Sequence, residues 1–202
     1  MNRENGLVPT PSNVEDALGH APVRVIQVDS VESLQAALVQ AEDNPVVPWG
    51  GGAGQLSGLP CSKPPVVIDL RPFNGVVEHD IDDMTISVKP GMRLIDLQVL
   101  LAEHNQYLPI DPSYPVVTTI GGMVAAAASG YLSTGYGTVR DLLIGVEAVD
   151  MAGNLIHGGG RVVKNVTGYD LPKLLTGSNG QLAIFTKLTF RVMPKPEARA
   201  SV

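Results

Sequence analysis

Apolar and polar residues change places along this chain with two different periods, and the period in force marks the elements. VRVIQV (23–28) alternates as a half-buried strand does. DSVESLQAALVQAED (29–43) then places Val31, Leu34, Leu38 and Val39 at helical spacing, with Asp29 or Ser30 as the N-cap. PVVPW (45–49) and VVIDL (66–70) are short apolar runs of strand character, which completes a β-α-β-β unit of roughly 50 residues. GVVEHD (75–80) and MTISVKPG (84–91) alternate on either side of an IDD turn and predict an antiparallel pair. RLIDLQVLLAEHN (93–105) predicts an amphipathic helix through Leu94, Leu97, Leu100 and Leu101. LLIGVEAVDMAGNLIHGG (142–159) reads as a hairpin about Ala152-Gly153-Asn154. QLAIFTKLTFRVMP (181–194) reads as a long closing strand with Leu182, Ile184, Leu188, Phe190 and Val192 on its core side. The pattern predicts an α+β chain in two lobes, without the repeated βαβ rhythm of a doubly wound sheet.

Composition narrows the function. The chain of 202 residues is 44% hydrophobic and 17% charged, with a formal net charge of -6. An acidic balance without clustered lysine and arginine argues against a nucleic-acid or anionic-membrane surface. The longest apolar stretch, around MVAAAAS, is too short to span a bilayer. One cysteine, Cys61, makes no internal disulfide, and the first residues lack the apolar core of a signal peptide, so a cytoplasmic location is expected. His20, His79, His104 and His157 lack metal-site spacing, and no Ser-His-Asp order, CxxC pair or carboxylate dyad is present; no metal is expected.

The candidate chemistry lies in glycine. PWGGGAGQLSGL (48–59) has five glycines in twelve positions, suspended between two apolar strands where a linker would have polar flanks. Its spacing is not that of a dinucleotide fingerprint, and it lacks the Gly-Lys-Ser/Thr ending of a Walker loop. Consecutive residues without side chains can still point several backbone N–H groups into one concavity, a nest for an anion such as a pyrophosphate. A tight inter-strand turn explains the loop equally well on motif grounds. TTIGGMVAAAASGY (118–131) offers the hydroxyls of Thr118 and Thr119, the Gly121-Gly122 pair and a helix start whose N–H groups attract phosphate oxygens. KNVTGYDLPKLLTGSNGQLAIFTK (164–187) ends in a glycine turn and a strand whose backbone could pair with the edge of an adenine.

With DPSYPVVTTIGGMVAAAASG (111–130) and YGTVRDLLIGVEAVD (136–150), these segments form four motifs in order. The chain, over about Val23 to Pro194, resembles the flavoproteins of the vanillyl-alcohol oxidase and p-cresol methylhydroxylase superfamily, most nearly the FAD-binding subunits of bacterial glycolate oxidases. The resemblance implies a two-lobed PCMH-type FAD-binding domain with mixed and antiparallel sheets flanked by helices. The expected divisions are a flexible lead-in (1–20), a first lobe with the glycine loop (21–72), a second lobe (73–195) and a tail (196–202), without the cap domain that such subunits carry.

Carried over by position, Gly50, Gly51, Gly52, Ala53, Gly54, Gln55 and Leu56 are expected to hold the pyrophosphate through backbone amides, with Ser57 nearby. Asp111, Pro112, Thr118, Thr119, Gly121 and Gly122 are expected to line the diphosphate and ribitol. Ser129, Gly130 and Tyr136 are expected on the flavin side, and Gly180, Leu182 and Ile184 beside the adenine. Members that tether flavin through this loop have histidine where Ala53 stands, so noncovalent FAD is implied. The implied activity is hydride transfer from a small 2-hydroxy acid such as glycolate to the flavin, with no residue assigned as catalytic base. The alternative is a non-catalytic or electron-relay subunit, partnered by a second flavoprotein and an iron-sulfur subunit. Lys164 and Asn165 are candidates near the redox ring or simply a turn, Arg140-Asp141 suggests a local pair, and Asp170 suggests a helix cap.

Overall fold

The structure, a computed structural model, describes residues 18–57, 60–160 and 170–197. In the first lobe β1 (Arg24–Gln27), β2 (Val46–Trp49) and β3 (Val66–Asp69) form a three-stranded parallel sheet in the order β1-β3-β2. Helix α1 (Val31–Ala41) crosses between β1 and β2. Its N-cap is Ser30, which forms a capping box in which both hydroxyls, those of Ser30 and Ser33, accept backbone N–H groups. Leu34, Ala37 and Ala41 are buried, whereas Val39, expected on the inner face, is 80% exposed. At 100° per residue Val39 lies well off the Leu34–Ala37–Ala41 stripe, so the core takes its neighbours instead.

The second lobe is a five-stranded antiparallel sheet in the order β4-β5-β9-β7-β8, from β4 (Val76–Asp80), β5 (Thr85–Val88), β7 (Leu143–Asp150), β8 (Leu155–Gly159) and β9 (Ala183–Arg191). The two expected hairpins are β4-β5 and β7-β8. In the second, the Asp150 carboxylate accepts the N–H groups of Ala152 (2.9 Å) and Asn154 (2.8 Å), and Gly153 turns at φ 87°. Helix α2 (Leu94–Ala102) covers one face of the sheet through Leu94, Leu97 and Leu101, together with α3 (Ile120–Ala125) and α5 (Val139–Leu142). Each fully buried leucine or isoleucine there contributes about 1.5–3 kcal/mol. The remaining elements are short: β6 (Gln106–Tyr107) pairs with β10 (Met193–Pro194), α4 spans Ser133–Tyr136 and α6 spans Leu171–Leu175.

Strand β9 departs from the simple alternation expected of it. Leu182 is 50% exposed and lies before the strand, while Ala183, Ile184, Phe185, Leu188 and Phe190 are all buried. A register shift opposite Glu147/Ala148 reverses the faces partway along. Ala183 and Phe185 join the main core, and Ile184 joins a second cluster with Val149, Val28, Leu34, Ile68 and Phe73. The two sheets therefore share buried contacts, and Gln35 of α1 adds a side-chain hydrogen bond to the Gly153 carbonyl (2.7 Å).

Candidate cofactor site

The glycine loop leaves the C-terminal end of β2 and folds into a 3-10 turn over Ala53–Ser57. Gln55 closes it twice, its N–H donating to the Gly52 carbonyl (3.1 Å) and its side-chain amide to the Pro48 carbonyl (3.1 Å). The absence of side chains is required by contact. A Cβ on Gly50 would lie 2.2 Å from Thr119 Oγ1, and one on Gly51 would lie 1.6 Å from the Val117 carbonyl oxygen. Gly52 is buried with φ 82°, a conformation that glycine adopts without strain. Among the described residues, the N–H groups of Gly50, Gly51 and Gly52 donate to no acceptor. The loop and the segment before α3 are thus packed directly on one another, with amides on the loop unclaimed among the described residues.

The partner segment is organised differently. Thr119 is the N-cap of α3, its hydroxyl accepting from the Gly122 N–H (3.3 Å), and Thr118 donates its hydroxyl to the Tyr114 carbonyl (2.7 Å). The Ile120 N–H donates to the Met92 carbonyl and the Gly121 N–H to the Pro90 carbonyl, each at 2.8 Å. The amides of residues 120–122, expected to be open to phosphate, are therefore engaged within the protein. The Thr118 proton is also committed. This segment supports the loop by packing, and a Cβ on Gly121 would meet Pro90 Cβ at 2.7 Å.

Asp111, Pro112, Ser129 and Gly130 come together, and one oxygen each of Asp111 and Ser129 is engaged within the protein. Asp111 Oδ1 accepts the Leu132 N–H (3.0 Å), Ser129 Oγ accepts the Val139 N–H (3.1 Å), and a Cβ on Gly130 would stand 1.9 Å from the Asp111 carbonyl oxygen. Pro112 is buried, and Tyr136 packs edge-on against Tyr107 at 5.9 Å between ring centroids. Gly180 turns at φ 74° against Pro48, beside the root of the glycine loop. Ile184 is 1% exposed, backbone included, so it belongs to the core and does not border a ligand as expected, whereas Leu182 is 50% exposed.

Arg161, Lys164, Asn165 and Tyr169 lie outside the described residues. Asp170 caps α6 by accepting the Lys173 N–H (3.2 Å), and Asp141 turns to the N–H (2.8 Å) and hydroxyl (2.7 Å) of Thr138. His79 meets Gln106 Oε1 at 2.8 Å and His104 ring to ring at 5.1 Å. Among the described residues no group of three His, Cys, Asp or Glu is arranged for a metal ion.

A cleft of about 460 Å³ opens beside the loop, lined by Trp49, Gly50, Gly51 and Thr119 on one side and by Arg71, Arg93, Val116 and Val117 on others. The two arginines were not among the residues expected here, because they are 22 positions apart and only the fold brings them to one cleft. The local signal for each is a nearby carboxylate, Asp69 two residues before Arg71 and Asp96 three after Arg93. Burial alone would raise the pKa of Asp69. The Arg71 guanidinium, the Arg71 N–H and Gln27 outweigh that and hold it below its ordinary value.

Two lobes joined through a common core, with a loop of unclaimed amides at their junction beside an open cleft, define a domain built to hold an anionic nucleotide cofactor. An FAD binding domain family matches residues 22–159, and the chain belongs to that family, whose cofactor is FAD. The loop fits the group, since Gly50–Gly52 present donors unclaimed among the described residues on a backbone held by close packing against Thr119 and Val117. The chain is 34% identical over 158 residues to glycolate oxidase subunit GlcD of Bacillus subtilis, covering 78% of this chain and 34% of the relative. It is 33% identical over 163 residues to glycolate oxidase subunit GlcE of Escherichia coli, covering 80% of this chain and 46% of the relative. An alkyldihydroxyacetonephosphate synthase structure superposes with a TM-score of 0.72 at 25% identity, over 86% of this chain and 32% of that one. The chain thus spans between a third and a half of these curated relatives, and the fold is that of the PCMH-type flavoenzymes its motifs suggested. No described helix is long and apolar enough to cross a membrane.

Proposed function

We propose that the chain is the FAD-binding module of a flavoprotein that oxidises a small 2-hydroxy acid of the glycolate type. The observation that carries this reading is the set of unclaimed N–H groups on Gly50–Gly52, packed against Thr119 in a chain whose relatives are named as glycolate oxidase subunits. Bound FAD would supply the hydride-accepting chemistry for a CH–OH carbon. The chain's own share is position and electrostatics. Gly50, Gly51 and Gly52 would hold the pyrophosphate by backbone donors, Thr119 and the 111–130 segment would fix the loop's shape, and Gly180 and the exposed Leu182 would border the adenine. Ala53 offers no nucleophile, so the cofactor is expected to be held without a covalent bond. Acid precipitation should release all of the flavin into the supernatant, and flavin retained in the pellet would refute that.

The relatives' designation as subunits supports a partner, and the electron-relay reading differs from the catalytic one only in where glycolate is oxidised. The test is anaerobic. Purified protein should be yellow and bind FAD; bleaching of its flavin by millimolar glycolate without any other subunit establishes the catalytic reading, and bleaching only with partner subunits establishes the relay. Protein that neither carries nor takes up FAD would end both.

A further inference from the structure

Two guanidinium groups stand in the cleft beside the glycine loop, and no motif of the family resemblance assigns them a role. Arg71 follows β3 and Arg93 precedes α2, and both line the cleft. Each is held as a fork by its own carboxylate. Arg71 donates through Nε (2.9 Å) and Nη2 (2.8 Å) to Asp69, and Arg93 through Nε (2.7 Å) and Nη2 (2.8 Å) to Asp96. A fork held at two points fixes the plane of the guanidinium and leaves Nη1 pointing away from the carboxylate. Among the described residues neither Nη1 donates to any acceptor. The rotamer freedom of both side chains is already lost, so a ligand meeting them would lose little more.

The rest of the lining mixes apolar Trp49, Met92, Val116 and Val117 with the polar side chains of Asn74, Asp96 and Thr119, beside the Gly50 and Gly51 backbone whose N–H groups are unclaimed among the described residues. A volume of about 460 Å³ suits a ring with substituents and is far larger than a phosphate or a two-carbon acid needs. We propose that this cleft receives one half of bound FAD, a flat heteroaromatic ring carrying a phosphate, with the phosphate at Gly50–Gly51 and Arg71 and Arg93 as its charged contacts. The assignment rests on the FAD reading above. Asp69 and Asp96 offset the charge of the two arginines, so the contact is a directional hydrogen bond from Nη1 and not a general attraction for anions. FAD has two halves of this chemistry, adenosine monophosphate and flavin mononucleotide.

The experiment titrates the full chain, stripped of flavin, with FAD, AMP and FMN in wild type, Arg93→Gln and Val116→Glu. Both positions are exposed, 55% for the Arg93 side chain and 58% for Val116, and unchanged melting temperatures confirm the fold. Arg93→Gln should weaken FAD and one of the two halves about tenfold, the worth of a charge-assisted hydrogen bond. Val116→Glu should weaken the same two ligands about a hundredfold by placing a carboxylate against the phosphate-bearing ring in the cleft. The half that responds is the one the cleft holds. Wild-type affinity for FAD in both variants would overturn the assignment, as would equal weakening of AMP and FMN. A wild type that fails to bind FAD would overturn the functional proposal itself, which keeps the two failures apart.

Discussion

Residues 50–54 and 158–160 are both glycine-rich, the first following β2 and the second closing β8, yet they do opposite things with the missing side chains. In the first, the backbone packs on Val117 and Thr119 while its own N–H groups from Gly50 to Gly52 find no acceptor among the described residues. In the second, the ladder claims alternate amides: Gly158 lies in β8 opposite Val146, and the Gly160 N–H donates to the Ile144 carbonyl (2.9 Å). Their glycines exist for packing, since a Cβ on Gly158 would meet Leu171 Cβ at 2.6 Å and one on Gly159 the Ile144 carbonyl oxygen at 2.1 Å. Glycine content therefore says only that backbone approaches something closely. Whether its donors are already spent distinguishes a ligand site from a packed seam.

The sharpest way to break the contrast is Gly51→Ala. Its Cβ would collide with main chain that has no rotamer to yield, and the loop would have to move. FAD affinity should fall about ten- to a hundredfold, as expected for an overpacking strain of roughly 1–3 kcal/mol carried by the binding loop. Fluorescence titration measures it, and wild-type affinity would reduce the loop to a turn.

The frame behind the loop comes next. Asp69 is 1% exposed, pairs in register with Trp49 at the loop's root, and is held by Arg71. Arg71→Ala should destabilise the fold by up to about 3 kcal/mol, less than for a fully buried pair because Arg71 is half in water. Because Asp69 is held below its ordinary value, the unfolded chain takes up that proton more readily. The stabilisation is therefore full above about pH 4 and is lost as pH falls through the folded-state value. Denaturant melts of wild type between pH 6 and pH 3 should show that loss, and Arg71→Ala should show less of it.

Gly158→Ala should cost about 2 kcal/mol by pressing on Leu171, with FAD affinity unchanged. A parallel loss of FAD would mean that the two runs are coupled. The smallest effect belongs to Gly153→Ala, where nothing lies within 4 Å of the new Cβ and only the φ of 87° is strained. About 1 kcal/mol in a thermal melt is expected, and FAD should bind as before.

Local signals carried most of the fold. The IDD and Ala152-Gly153-Asn154 turns, the Ser30 cap and the leucine stripe of α2 each depend on neighbours within a few residues, and each is where the pattern put it. Long-range packing decided the rest. Val39 and Leu182 are apolar and exposed, and Ile184 is buried against the other lobe, because a residue's partner across the core leaves no mark on its own stretch of sequence. The candidate site divides in the same way. The glycine loop was visible as composition, but the spent amides of 120–122 and the meeting of Arg71 with Arg93 exist only once Pro90 and Met92 are folded beneath them.

The central position of β9 sets a timetable for the chain. Residues 183–191 are the last long strand among the described residues, yet they lie between β5 and β7 and join strands that begin at Thr85 and Leu143. Neither hairpin can close its inner edge until synthesis has passed residue 191, and the first lobe lacks Ile184 in its core until then. Folding must therefore wait on contacts of high sequence separation, which are slow to form. Meanwhile the inner edges of β5 and β7 stand unpaired, open to a second nascent chain. A ribosome-bound fragment ending before Ala183 should be protease-sensitive in both lobes at once.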